Sequence, residues 1–253
     1  MILRFIALAA ALIVASNVAL ARGPDCRAKR DQLDLGNQLA VAKRAVTEQR
    51  HLRVVAMGSS STQGYGTTNP QYAYPAQLKI KLEEAAPNVP VLVWNKGIGG
   101  QDADEMAARM KDDVLPEKAH LVVWQVGTNS AIRRVPLDKF ANRLRAGIDI
   151  GKSLGADFVL MNLQYVPAVV SLPDEQDYVQ VMADVAKEKS AGLFNRFEIM
   201  KGWYNDGMPY AQFVTSDGLH LNDFGQKCMG KLLSKALFDT VYPKQLTGAP
   251  KSK

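Results

Sequence analysis

The chain is poor in cysteine and histidine, the sulfur and nitrogen ligands of metal centres. Its 253 residues hold two cysteines, Cys26 and Cys228, and three histidines, His51, His120 and His220. Two lone cysteines without a histidine beside them make no ligand set, so no metal site is expected. A dense stripe of lysine and arginine interleaved with aromatics is also missing, which argues against a nucleic-acid partner. The basic residues are scattered, with a mild cluster between Arg27 and Arg53. There is no internal repeat and no long linker. The one pronounced apolar run, residues 5–15, is broken by Ser16 and Asn17, and is shorter than the roughly 20 residues a membrane span needs.

What is present is a globular composition, 47% hydrophobic and 22% charged, long enough for one domain with a sizeable core. The N-terminus stands apart. Arg4, the apolar run and the small-residue trio Ala19-Leu20-Ala21 follow one another as in a secretory signal peptide. Residues 1–21 are therefore expected to leave, with cleavage after Ala21 and a periplasmic or secreted product that keeps no stable membrane anchor. The formal charge of +6 then falls to +5, because Arg4 is lost. Export would put Cys26 and Cys228 in an oxidising compartment, where a bridge would tie the N-terminal arm to the last helix; the sequence leaves this pairing open.

Residues 31–49 carry Leu33, Leu35, Leu39, Val41, Ala42 and Val46 at helical spacing, so residues 22–50 are expected to form an N-terminal amphipathic helical arm. Residues 51–243 read as the main domain and 244–253 as a loosely ordered tail. In the main domain, apolar runs at 52–57, 89–94, 121–126, 158–163 and 193–197 alternate with helical patterns at 74–86, 103–114, 137–154, 175–190 and 224–241. Continuous apolar strands separated by helices predict an α/β fold with a parallel sheet covered on both faces. Such sheets bind ligands beyond the carboxyl ends of their strands.

Four loops in those places carry candidate chemistry. Gly58-Ser59-Ser60-Ser61-Thr62 follows the first strand, Asn95-Lys96-Gly97-Ile98-Gly99-Gly100 the second, and Gly127-Thr128-Asn129-Ser130 the third. Asp217-Gly218-Leu219-His220 precedes the last helix, with a carboxylate three residues before an imidazole, a spacing at which it can orient the ring. His51 and His120 sit just before strands without an acidic partner and read as structural. Gly151-Lys152-Ser153-Leu154-Gly155 matches the Gly-x-Ser-x-Gly nucleophile elbow, but it ends a helix and precedes a strand, the wrong context. A phosphate loop would need a glycine where Ala146 stands.

Taken together, the four loops resemble the blocks of the SGNH (GDSL-type) hydrolase superfamily. Gly58-Ser59-Ser60-Ser61-Thr62 resembles Gly-Asp-Ser-x-Thr, Asn95-Lys96-Gly97 the second block, Gly127-Thr128-Asn129 the third, and Asp217-Gly218-Leu219-His220 the last. Ser59 departs from the family by standing where Asp is usual. The resemblance implies a flavodoxin-like three-layer α/β/α sandwich on five parallel strands. It also implies Ser60 as nucleophile by register, with Ser61 and Thr62 capping the next helix. His220 would be the base and Asp217 its orienting carboxylate. The oxyanion hole would comprise the Ser60 and Gly97 N–H groups and the Asn129 amide. Such a triad needs no cofactor. The expected function is an exported serine esterase cleaving short acyl groups, such as O-acetyl on carbohydrate, from a small-molecule or polysaccharide ester. An O-acyltransferase or a non-catalytic carbohydrate-binding module on the same fold are the alternatives. Aromatics flank the catalytic loops: Tyr65, Tyr72 and Tyr74 after the nucleophile, and Trp203, Tyr204 and Tyr210 before the last block. They read either as sugar-stacking surfaces or as packing. The oligomeric state is not legible.

Overall fold

A computed structural model describes residues 25–243; the expected signal peptide and the tail lie outside these residues. Five strands form one sheet: β1 (Leu52–Gly58), β2 (Val91–Gly97), β3 (Leu121–Gln125), β4 (Asp157–Met161) and β5 (Gly192–Phe194). All pairings are parallel and the order is β2-β1-β3-β4-β5. The chain leaves β1 for β2 on one side and then crosses to β3 on the other. The carboxyl ends of β1 and β3 therefore flank the switch point of the sheet.

Burial explains the apolar runs. Every residue of β3 is buried and only Arg53 of β1 is not, because both strands are covered on both faces. The edge strand β2 is only partly covered, and it runs three residues beyond the expected 89–94. Its pairing continues to Asn95 opposite Ala56 and Gly97 opposite Gly58.

The main helices lie close to their expected spans: α3 (Tyr74–Ala85), α4 (Ala103–Val114), α6 (Leu137–Ser153), α8 (Glu175–Glu188) and α10 (Asp223–Val241). Short helices α2 (Ser60–Gln63), α5 (Thr128–Ile132) and α7 (Pro167–Val170) follow β1, β3 and β4, and α9 (Arg196–Asn205) follows β5. Residues 193–197 were expected to be strand to their end, yet the sheet stops at Phe194, where the Asn195 side chain accepts the Glu198 N–H and caps α9. Gly151 of the rejected serine elbow lies in the last turn of α6. A Cβ there would collide with the Phe158 ring of β4, so its smallness serves helix–sheet packing.

The arm departs from the single helix expected over 31–49. Only a 3₁₀ turn (Asp31–Leu33) and a helix α1 (Ala40–Arg44) running into a π-type turn (Ala45–Gln49) form. Between them the Asp34 and Asn37 side chains accept the N–H groups of Gly36 and Leu39, local bonds that compete with the helix. The Leu35 carbonyl accepts the Leu193 N–H at 2.9 Å, fastening the segment beside β5. Leu33, Leu35 and Leu39 are all buried, so the apolar spacing serves an extended packing segment.

Cys26 and Cys228 form a disulfide between the arm and α10, 202 residues apart with Cα atoms at 5.2 Å. Cross-linking so long a loop restricts the unfolded chain. The double variant Cys26→Ser/Cys228→Ser is expected to lose about 2–4 kcal/mol in urea unfolding, and the reduced parent chain should match it.

Candidate active site

The Ser59–Ser60–Ser61 turn is short because β1 ends directly at α2. Ser59 takes the cap position, where its carbonyl accepts the Thr62 and Gln63 N–H groups. Its hydroxyl does not cap the helix. The Ser59 hydroxyl and N–H both donate to Gln125 Oε1, at 3.1 and 3.0 Å, and Thr62 Oγ1 reaches the same oxygen at 3.2 Å. The expected capping by Ser61 and Thr62 is thus corrected, since both lie inside the helix and Thr62 binds Gln125 and Tyr74 instead. Ser59, at 4% exposure, and Ser61 are buried. Ser60 alone of the three aims its hydroxyl at the imidazole, with Oγ 2.9 Å from His220 Nε2.

His220 is held from below by its own loop. Asp217 Oδ2 lies 2.7 Å from His220 Nδ1, and Oδ1 accepts the Thr215 hydroxyl at 2.6 Å and the Leu219 and His220 N–H groups at 2.8 and 3.0 Å. Burial alone would raise the Asp217 carboxyl. The donors from Thr215, His220 and Leu219 outweigh it and hold the group well below the usual carboxylate range. An ionised carboxylate only accepts, so Nδ1 carries the proton, and in the neutral ring Nε2 is then the acceptor facing the Ser60 hydroxyl.

Beneath this loop sits a buried cation. Arg196, 1% exposed, donates to the Asn162 carbonyl and to Gln164 Oε1. Burial pushes its guanidinium down to about 9. Gln164 in turn accepts the Thr128 hydroxyl at 2.9 Å and donates to the Leu219 carbonyl at 3.2 Å, linking the loops that carry Asn129 and His220. Neither Gln164 nor Arg196 stood out in the sequence, because neither belongs to a short motif.

On the other side, Asn129 Nδ2 donates to the Gln101 carbonyl at 2.8 Å, leaving its second N–H unassigned. Gly97 does not match its expected part. Its N–H donates to Asn95 Oδ1 at 2.9 Å, and a Cβ would strike the backbone of Thr62 and Gln63. Close packing of β2 against α2 explains this glycine. Among the described residues, the N–H groups of Ser60, Gly99 and Gly100 donate to no protein acceptor. A Cβ built on Gly99 would lie 3.9 Å from the Ser60 Cβ. The Gly100 carbonyl is clamped by Arg133 at 2.7 Å. Arg109 binds the Gly58 and Lys96 carbonyls at the ends of β1 and β2.

The other sequence candidates lie elsewhere. His51 and His120 pair at the amino ends of β1 and β3, with rings 5.1 Å apart, and burial drives the His120 imidazole down to about 4. Trp203 is core, whereas Tyr204 and Tyr210 stack on each other at 4.5 Å. Among the described residues no group of three or more His, Cys, Asp or Glu side chains could share a metal ion.

A parallel three-layer sandwich carrying Ser, Gly and Asn blocks at its strand ends and an Asp-x-x-His block before its last helix defines an SGNH hydrolase, an ester-hydrolysing serine hydrolase. The model of the Non-GDSL lipase-like family matches residues 25–243, and the chain belongs to that family. It is 25% identical over 210 residues to an acetylxylan esterase of Geobacillus stearothermophilus, covering 74% of this chain and 90% of that protein. A lipolytic-type protein of the G-D-S-L family from Desulfitobacterium hafniense DCB-2 is 26% identical, with 73% of this chain and 99% of that one covered and a TM-score of 0.58. A two-domain esterase active on acetylated mannans shares the fold at 16% identity and a TM-score of 0.70, over 88% of this chain and 61% of that one.

The depressed Asp217 carboxyl has a consequence for acid stability. A folded-state value below the ordinary 3.8 stabilises the fold above that pH, and the benefit is lost as pH falls through the folded value. Asp217→Asn is therefore expected to lower the urea midpoint at neutral pH, and its deficit should shrink below pH 3.8.

Proposed function

We propose that this chain is an exported carbohydrate esterase that removes short acyl groups, O-acetyl above all, through an acyl-enzyme on Ser60. The observation that carries the reading is the unbroken chain from Asp217 through His220 to the Ser60 hydroxyl, at 2.7 and 2.9 Å. His220 Nε2 takes the proton as Ser60 Oγ attacks the ester carbonyl, and Asp217 stabilises the resulting imidazolium. The oxyanion is met by the Ser60 N–H, the free N–H of the Asn129 amide and an N–H of the Gly99–Gly100 turn. As the tetrahedral intermediate collapses, His220 protonates the departing alcohol oxygen. Water, deprotonated by the same imidazole, then releases the acid and restores Ser60.

The carbohydrate substrate is supported by the acetylxylan esterase relative and by the fold shared with the esterase active on acetylated mannans. Export is supported by the order of charge, apolar run and small residues before Arg22, and by the Cys26–Cys228 disulfide, a bond that persists in oxidising compartments.

The decisive measurement pairs p-nitrophenyl acetate turnover with acetate release from acetylated xylan, using the chain from Arg22 onward. Ser60→Ala is expected to lose nearly all activity on both, while Ser59→Ala and Ser61→Ala keep most of it. Asn129→Ala should lower kcat by about 10²–10³-fold with the fold intact. An inactive Ser59→Ala beside an active Ser60→Ala would overturn the nucleophile, and turnover of the aryl ester with no acetate released from the polymer would overturn the substrate class. When the whole chain is expressed in a bacterium, N-terminal sequencing of the exported protein should begin at Arg22; product retaining residues 1–21 would count against export.

A further inference from the structure

Tyr65 follows the nucleophile helix and stands out by its setting. Its ring packs on the His220 imidazole, with centroids 4.4 Å apart and planes tilted by 54°, yet the residue remains 60% exposed. An exposed aromatic would ordinarily be free to turn away. Here its backbone is held on both sides. The Tyr65 N–H donates to the Ser60 carbonyl at 2.9 Å. Gly64 and Gly66 flank it in the left-handed region, at φ +97° and +91°. A Cβ at Gly64 would lie 2.7 Å from the Ala73 Cβ, and one at Gly66 would lie 2.6 Å from the Leu221 carbonyl oxygen. The turn is thus wedged between the segment before α3 and the strand-like stretch after His220. Downstream, the Thr68 N–H and hydroxyl are anchored on Asp223, at 2.8 and 2.6 Å. An outward-facing ring already packed on a neighbour costs little further side-chain entropy when something stacks on its open face.

The chemistry says which half of the substrate meets that ring. The alcohol oxygen must reach His220 Nε2 to receive its proton, so the alcohol half of the ester lies beside the imidazole, and hence beside the ring packed on it. The acyl half is attached to Ser60 at that moment. The geometry points to Tyr65 as the alcohol-side platform of the site, a flat amphipathic face on which the pyranose ring bearing the ester stacks. This assignment rests on the carbohydrate-ester reading and adds to it the residue that selects a ring over an open-chain alcohol. Trp203 is buried and Tyr204 and Tyr210 stack on one another, which leaves Tyr65 as the aromatic in contact with the catalytic imidazole.

The test holds the acyl group constant and varies only the alcohol. Values of kcat/KM are measured on methyl tri-O-acetyl-β-D-xylopyranoside and on ethyl acetate for the parent chain, Tyr65→Ala and Tyr65→Phe. The parent is expected to prefer the sugar ester. The ratio of the two values should fall about five- to tenfold in Tyr65→Ala and stay within about twofold of the parent in Tyr65→Phe, because the stacking face survives loss of the hydroxyl. If the parent prefers the sugar ester and Tyr65→Ala keeps that preference, or loses rate equally on both esters, the platform is overturned while the substrate class stands. A parent with no preference for the sugar ester overturns the substrate class, and the platform with it.

Discussion

The imidazole of His220 is hydrogen-bonded at both nitrogens, and the arrangement of the whole site follows from that ring. Asp217 can serve Nδ1 only while it stays ionised, and it stays ionised because the Thr215 hydroxyl and two backbone N–H groups converge on its other oxygen. Those donors exist because the loop folds back on itself, with the Thr215 N–H on the His220 carbonyl and Val214 bridged to Leu221. The ring can serve Ser60 only because this loop lies over the carboxyl end of β1. One short stretch of chain therefore supplies the imidazole, the carboxylate bonded to it and the turn that holds the two together. The serine comes from a segment 160 residues away.

Holding such loops still falls largely to guanidinium groups. Carbonyl oxygens at strand ends have acceptor capacity to spare, and a guanidinium offers five donors in a rigid fork. Arg109 ties the ends of β1 and β2 through Gly58 and Lys96. Arg133, one turn beyond Asn129, grips the Gly100 carbonyl together with Asp102. Arg196 does the same at the end of β4 from a fully buried position, and reaches the His220 loop through Gln164. Among the described residues no carboxylate pairs with it, its depressed value reflects burial, and its hydrogen bonds to Asn162 and Gln164 replace the water it gave up.

Much of this architecture is legible in the sequence. The five apolar runs are strands because a doubly covered parallel sheet leaves no solvent face to alternate with, and the helical stripes between them lie nearly where their spacing put them. Ser60, Asn129, Asp217 and His220 were legible because each falls in a short loop at a strand end or helix start, where motif and topology speak together. The arm was misread because Leu33, Leu35 and Leu39 satisfy a helical stripe and an extended packing segment equally well. Local bonds from Asp34 and Asn37, with pairing to β5, chose the second. Gly97 was misassigned because a motif records that a glycine is needed without recording why. Here the need is room for α2, and the unengaged N–H groups lie two and three residues on.

What the sequence determined by itself is therefore what local chemistry can dictate: the alternation of strand and helix, the polar residues placed in the loops at strand ends, and the Asp217–His220 spacing that lets one turn pair them. Which of three adjacent serines faces the imidazole, whether Cys26 meets Cys228, and where the ring of Tyr65 rests were decided only in three dimensions. Each depends on the approach of segments distant along the chain. Such approach is set by the strand order and by the packing of α2, α10 and the loops against one another, and no window of neighbouring residues contains it.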